Sequence, residues 1–91
     1  MIITGRITAR GEELNYQTRN GETKSLIKFR LTAGPDNIFI TAFAELVPTL
    51  KAFTANQLVV ADVSLTVREW QSTTGGTQWS NEAMLNRIAP L

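Results

Sequence analysis

Leu58-Val59-Val60-Ala61-Asp62-Val63-Ser64-Leu65-Thr66-Val67-Arg68-Glu69-Trp70 is a long run rich in β-branched residues, which predicts one extended strand. Side chains alternate along a strand. Val59, Ala61, Val63, Leu65 and Val67 therefore share an apolar face, and Asp62, Ser64, Thr66, Arg68 and Trp70 share a polar one. The run leads into Gln71-Ser72-Thr73-Thr74-Gly75-Gly76-Thr77, a hairpin loop, and returns through Gln78-Trp79. A cation and a large aromatic on an otherwise polar face can bind a phosphate and stack a base.

Working outward, the preceding segment supplies the only helical spacing in the chain. Leu46, Leu50 and Phe53 recur at i, i+4 and i+7 between Glu45 and Phe53, and Pro48 fits if it lies in the first turn. Upstream, Ile2–Arg10 alternates with Ile3, Gly5, Ile7 and Ala9 on one face and Thr4, Arg6, Thr8 and Arg10 on the other. Gly5 and Gly11 are points where that strand can bend. Leu14–Thr23 reads as a loop carrying an Asn20-Gly21 turn signal. A second strand follows over Lys24–Ala33, with Ile27, Phe29 and Leu31 inward and Lys24, Leu26, Lys28 and Arg30 outward. Gly34-Pro35-Asp36-Asn37 is a tight turn. Ile38–Phe43 is a third strand, apolar at both parities, and a last strand runs from about Gln78 to Ile88.

The order β-β-β-α-β-β, all-β with one short helix and two strands long enough to bend, is the layout of a five-stranded Greek-key barrel, the OB-fold. Its binding surface is the outer face of the middle strands plus the loops after the first and fourth strands, here Leu14–Thr23 and Gln71–Thr77. The 91 residues make one such domain, 43% hydrophobic and 19% charged, a globular rather than disordered composition. A chain this small has a modest core, which makes self-association plausible.

Composition removes much chemistry. With no Cys and no His there are no disulfides, thiol nucleophiles, imidazole bases or Cys/His metal clusters. The eight acidic residues show no spacing that marks a metal or acid/base site. No enzymatic activity, catalytic residue, cofactor, metal or small-molecule substrate is expected. The start Met1-Ile2-Ile3-Thr4-Gly5-Arg6 lacks the apolar run of a signal peptide, and no stretch reaches membrane-spanning length. The expectation is a cytoplasmic protein without a membrane partner. The net charge of +1 is neutral on nucleic-acid binding, which depends on where charges lie.

The outward cations are Arg6, Arg10, Lys24, Lys28, Arg30 and Arg68. A solvated strand face would carry such residues anyway. Aromatic interleaving separates this chain from that reading: Trp70 shares the parity of Arg68, Tyr16 and Arg19 sit together in the first loop, and Phe39 and Phe43 share one face of the third strand. Phe29 and Phe53 are read as core. Trp79 has the parity of Ala83 and Leu85, which fits packing as well as stacking, and an exposed Trp70 also fits a subunit contact. The Thr73–Thr77 loop lacks the Lys and following helix of a phosphate cradle.

Several of these pieces, taken in order, resemble the bacterial and phage single-stranded DNA-binding protein family, over about Ile2 to Leu85. Tyr16-Gln17-Thr18-Arg19-Asn20-Gly21 resembles the family's Tyr-x-x-Asn-Gly hairpin with one residue extra. Ala42-Phe43-Ala44-Glu45 resembles its Leu-Phe-Gly-Lys before the helix. Leu58–Trp70 is similar in spacing to V-x-V-x-G-x-L-x-x-R-x-W, and Gly75–Glu82 resembles the loop and Y-x-x-E that follow.

The resemblance implies binding of single-stranded DNA without sequence preference, in replication, recombination or repair. It implies stacking on Trp70 and Phe43, a basic position at Arg68, and Trp79 in a Tyr position. It also implies a dimer or tetramer. Tyr16, Phe39, Arg6, Arg10, Arg19, Lys28 and Arg30 complete the candidate nucleic-acid surface. The family's long second hairpin and its Trp pair have no counterpart, and Asn37 stands near one of those positions. No acidic C-terminal tail is present before the last residue, Leu91, so the expectation is a short, tail-less version that binds more weakly or over a smaller site. The alternatives are an OB-fold assembly subunit using the aromatics as an interface, and a binder of single-stranded RNA.

Overall fold

In the computed structural model, which covers residues 1–91, the elements are β1 (Ile2–Arg10), β2 (Leu14–Gln17), β3 (Thr23–Ala33), β4 (Asp36–Phe43), α1 (Leu46–Lys51), β5 (Leu58–Gln71) and β6 (Thr77–Pro90). The strands are hydrogen-bonded in the order β1-β5-β6-β4-β3-β2, and a further β1–β3 pairing closes a ring of five. All pairings are antiparallel except β4–β6, a short parallel contact at Thr41 and Met84.

β1 makes closure possible because it changes neighbours along its length. Ile2–Arg6 pairs with β5, and Arg6–Arg10 pairs with β3. Gly5 sits just before the handover. A Cβ there would lie 2.5 Å from the Thr32 carbonyl oxygen, so a side chain would push β1 off β3. Past Gly5 the register with β3 jumps from Ile7↔Leu31 to Ala9↔Arg30, which leaves Thr8 as the extra residue of a bulge.

The segment expected as a loop between β1 and β3 contains a short strand, β2. It pairs with the part of β3 that β1 leaves free, Leu14 opposite Leu26 and Tyr16 opposite Lys24. β1 and β2 thus lie on one side of β3 as a single interrupted strand. The turn that follows is longer than a two-residue Asn-Gly hairpin. Thr18 N–H donates to Glu22 O at 2.9 Å, Gly21 N–H donates to Thr18 O at 3.0 Å, and Gly21 takes φ 81°, a conformation that glycine adopts without Cβ strain.

The inward residues of each strand form the core: Ile7, Ile27, Phe29, Leu31, Ile40, Ala42, Val59, Ala61, Val63, Ala83 and Leu85. One end is plugged by Val47 and Leu50 of α1, with Phe53 packed beside them. Pro48 lies in the first helical turn, where its missing N–H breaks no intrahelical bond. No helix is long and apolar enough to cross a membrane.

Alternation along β5 holds as expected up to Val63, which is 1% exposed. Beyond it, Leu65 and Val67 are 55% and 67% exposed, although they share Val63's parity. No second layer lies over them, because the β5–β6 ladder runs on past the barrel to Gln71↔Thr77 as a two-stranded arm. β6 accommodates this with one extra residue at Asn86, where pairing shifts from Asp62↔Arg87 to Val63↔Leu85.

Candidate nucleic-acid interface

Residues directly opposite one another in a ladder present their side chains on the same face, so the register defines the outer surface. β3 and β4 bring together Leu26 with Phe43, Lys28 with Thr41, and Arg30 with Phe39. β2 adds Tyr16, opposite Lys24. The Tyr16 and Phe43 rings meet edge to face, with centroids 5.8 Å apart. β6 adds Met84 beside Thr41. Between them lies an open groove of about 300 Å³, lined by Leu26, Lys28, Phe39, Phe43, Glu82 and Met84 among others. Phe39 is 69% exposed at its edge. A larger cleft, about 480 Å³, lies between α1 and the β1–β5–β6 quadrant, but its only charged groups, Asp62 and Arg87, are paired with each other at 3.4 Å.

The arm extends this surface. Thr66, Arg68 and Trp70 stand opposite Glu82, Ser80 and Gln78 and continue the parity of the outward Ser64. The Arg68 guanidinium carbon lies 5.9 Å from the Trp70 ring centroid, within cation–π range. Its Nη1 is 3.8 Å from Glu82 Oε1, an exposed ion pair across the β5–β6 ladder. Trp70 keeps 43% of its surface exposed.

Trp79 is not on this face. It stands opposite Glu69 and therefore shares the far side of the arm with Leu65 and Val67, itself 66% exposed. A base stacked on Trp70 cannot also touch Trp79. Arg10 also departs from its expected place. The Thr8 bulge reverses the parity of β1, so Arg10 stands opposite the inward Phe29. Its Nη1 donates to the Leu50 and Lys51 carbonyls at 3.4 and 3.3 Å, capping the C-terminus of α1. Arg6 remains outward, at the rim, with Nη1 donating to Asn56 O at 3.0 Å. Arg19 is exposed in the β2–β3 turn.

The expected set thus divides. Tyr16, Lys28, Arg30, Phe39, Phe43, Arg68 and Trp70 form one continuous face, while Trp79 and Arg10 lie elsewhere. Met84 and Glu82 complete the groove and were not singled out from sequence. The parity of Met84, opposite to Ala83 and Leu85, was the available signal. No cluster of acidic side chains is arranged to hold a metal.

No protein-family model matches the chain, and no curated protein sequence matches it. Its fold does have counterparts among solved structures. One is the mitochondrial single-stranded DNA-binding protein Rim1 of S. cerevisiae, which superposes with a TM-score of 0.64 at 18% identity, covering 100% of this chain and 92% of that one. The chain is an OB-fold. At that level of identity the likeness concerns the path of the backbone alone.

Proposed function

We propose that this protein binds single-stranded DNA without sequence preference, along the outer face of β3, β4 and β6 and over the Trp70 side of the arm. The observation that carries this reading is the exposed Trp70 with Arg68 at 5.9 Å, on the same face as the groove lined by Phe39, Phe43 and Lys28. Bases stack on Trp70, Phe39 and Phe43, while Lys28, Arg30, Arg68 and the rim residue Arg6 neutralise phosphates. The barrel shared with a single-stranded DNA-binding protein supports the reading at the level of fold. The protein serves DNA replication, recombination or repair in the cytoplasm and works without catalysis or cofactor.

The test is quenching of intrinsic Trp fluorescence by poly-dT at low and at moderate salt. Quenching that weakens with salt is expected, because bound phosphates release counterions. A flat trace at low salt refutes the reading. Poly-U titrated in parallel separates a DNA binder from an RNA binder.

A second reading applies to the other side of the arm. Leu65, Val67 and Trp79 are exposed together there, with Glu69 the only charge among them, a composition suited to a protein contact. We assign this side to self-association into a dimer or tetramer. Sedimentation of Val67→Asp should then show a smaller species than wild type.

A further inference from the structure

Arg30 is held differently from every other arginine. Arg6 and Arg10 use Nη1 on backbone carbonyls, and Arg68 and Arg87 direct Nη groups at carboxylates. Arg30 is gripped from behind: its Nε donates to Thr8 Oγ1 at 2.9 Å. The Thr8 and Thr32 hydroxyls are 2.7 Å apart, and Thr32 Oγ1 donates to Asn37 Oδ1 at 2.6 Å. Each hydroxyl carries one proton. Thr32 directs its proton at Asn37, so in the Thr8–Thr32 contact Thr8 must be the donor. The donors therefore run one way, from Arg30 through Thr8 and Thr32 to Asn37, and each link polarises the next.

This chain crosses three strands, and the bulge makes it possible. Thr8 is the unpaired residue where β1 slips against β3, and the bulge aims its hydroxyl between Arg30 and Thr32. Neither Nη group of Arg30 has a protein acceptor, and the residue is only half-buried. Arg30 stands opposite Phe39, the most exposed aromatic of the outer face.

We propose that Thr8, Thr32 and Asn37 are positioning residues that lock Arg30 as a bidentate clamp for one phosphodiester, beside the base platform of Phe39. This rests on the single-stranded DNA reading above. It goes further by assigning a function to residues that touch no nucleic acid. Bidentate pairing of a planar fork with phosphate gives geometric specificity as well as attraction. A side chain ordered beforehand does not lose that freedom on binding.

The experiment compares Thr8→Val, Thr8→Ser and Arg30→Ala by poly-dT titration across a salt series. Thr8→Val keeps the shape and removes the acceptor. It should weaken binding about 2- to 12-fold, the equivalent of one freed side chain, with the salt slope unchanged because the charge remains. Thr8→Ser should restore wild-type affinity. Arg30→Ala should flatten the slope by about 0.7, one phosphate on a single strand, and Thr8→Val added to it should cost nothing more. Without DNA, the Arg30 Nε–H resonance should exchange slowly in wild type and Thr8→Ser and be lost in Thr8→Val. Wild-type affinity in Thr8→Val, or an equal further loss in the Arg30→Ala background, overturns the clamp alone. A wild type that leaves poly-dT unbound overturns the single-stranded DNA reading and the clamp with it.

Discussion

Because Trp70 and Trp79 lie on opposite sides of the arm, they should behave as opposites in one assay. A fully covered Trp buries up to about 250 Å², and Trp70 retains 43% exposure, leaving on the order of 100 Å² for a partner. A base laid on one ring face removes roughly 60–100 Å² from water, worth about 1.5–2.5 kcal/mol at ~25 cal/mol per Å², within the usual range for base–aromatic stacking. Trp70→Ala should therefore raise the Kd for poly-dT by about 10- to 60-fold, while Trp79→Ala changes it by less than about 2-fold. Single-Trp proteins make the contrast visible. In Trp79→Phe the remaining Trp70 emission is quenched by poly-dT and shielded from acrylamide. In Trp70→Phe the remaining Trp79 emission stays unquenched. If Trp79→Ala weakened binding as much as Trp70→Ala, the two-faced description of the arm would be wrong.

Other consequences can be checked separately. Arg68→Ala should reduce the salt slope of DNA binding by about 0.7. Arg10→Ala, which removes a cation from the α1 C-terminus, should leave that slope alone and cost about 0.3–1 kcal/mol in urea unfolding. Gly5→Ala forces a methyl against the Thr32 carbonyl, so a loss of about 2–3 kcal/mol is expected, seen as a Tm lower by roughly 10–20 °C. Leu31→Ala, at a fully buried position, should cost about 2–5 kcal/mol. Leu65→Ala, a strand leucine that is 55% exposed, should cost less than about 1 kcal/mol in the same unfolding measurement.

Where sequence and structure part company, the reasons are specific. The inward sets of β3 and of β5 up to Val63 were legible because a period of two marks the two faces of a strand. The same period was silent on Leu65 and Val67, since parity names a face without saying whether anything lies over it. Gly5 was legible as a bend, but the bulge at Thr8 had no signal of its own and displaced Arg10 by one parity. β2 was hidden in a mixed-polarity stretch, where pairing depends on the part of β3 that β1 vacates. Parity within β6 described Trp79 correctly against Ala83. Its relation to Trp70 depended on the length of the turn at Ser72–Gly76. One residue more or fewer would have put both indoles on one side.

The arm has a consequence for how this surface can change over evolutionary time. Its residues from Leu65 to Glu82 are supported by their own ladder and by no core contact, so substitutions there are not penalised by the close packing that restricts Phe29 or Leu50. A two-stranded ribbon is only marginally stable alone, yet here the barrel anchors its base at Val63 and Leu85. The fold thus separates what must be kept from what is free to vary. The aromatic and basic content of the arm can drift toward tighter, weaker or differently selective binding while the barrel beneath it stays the same.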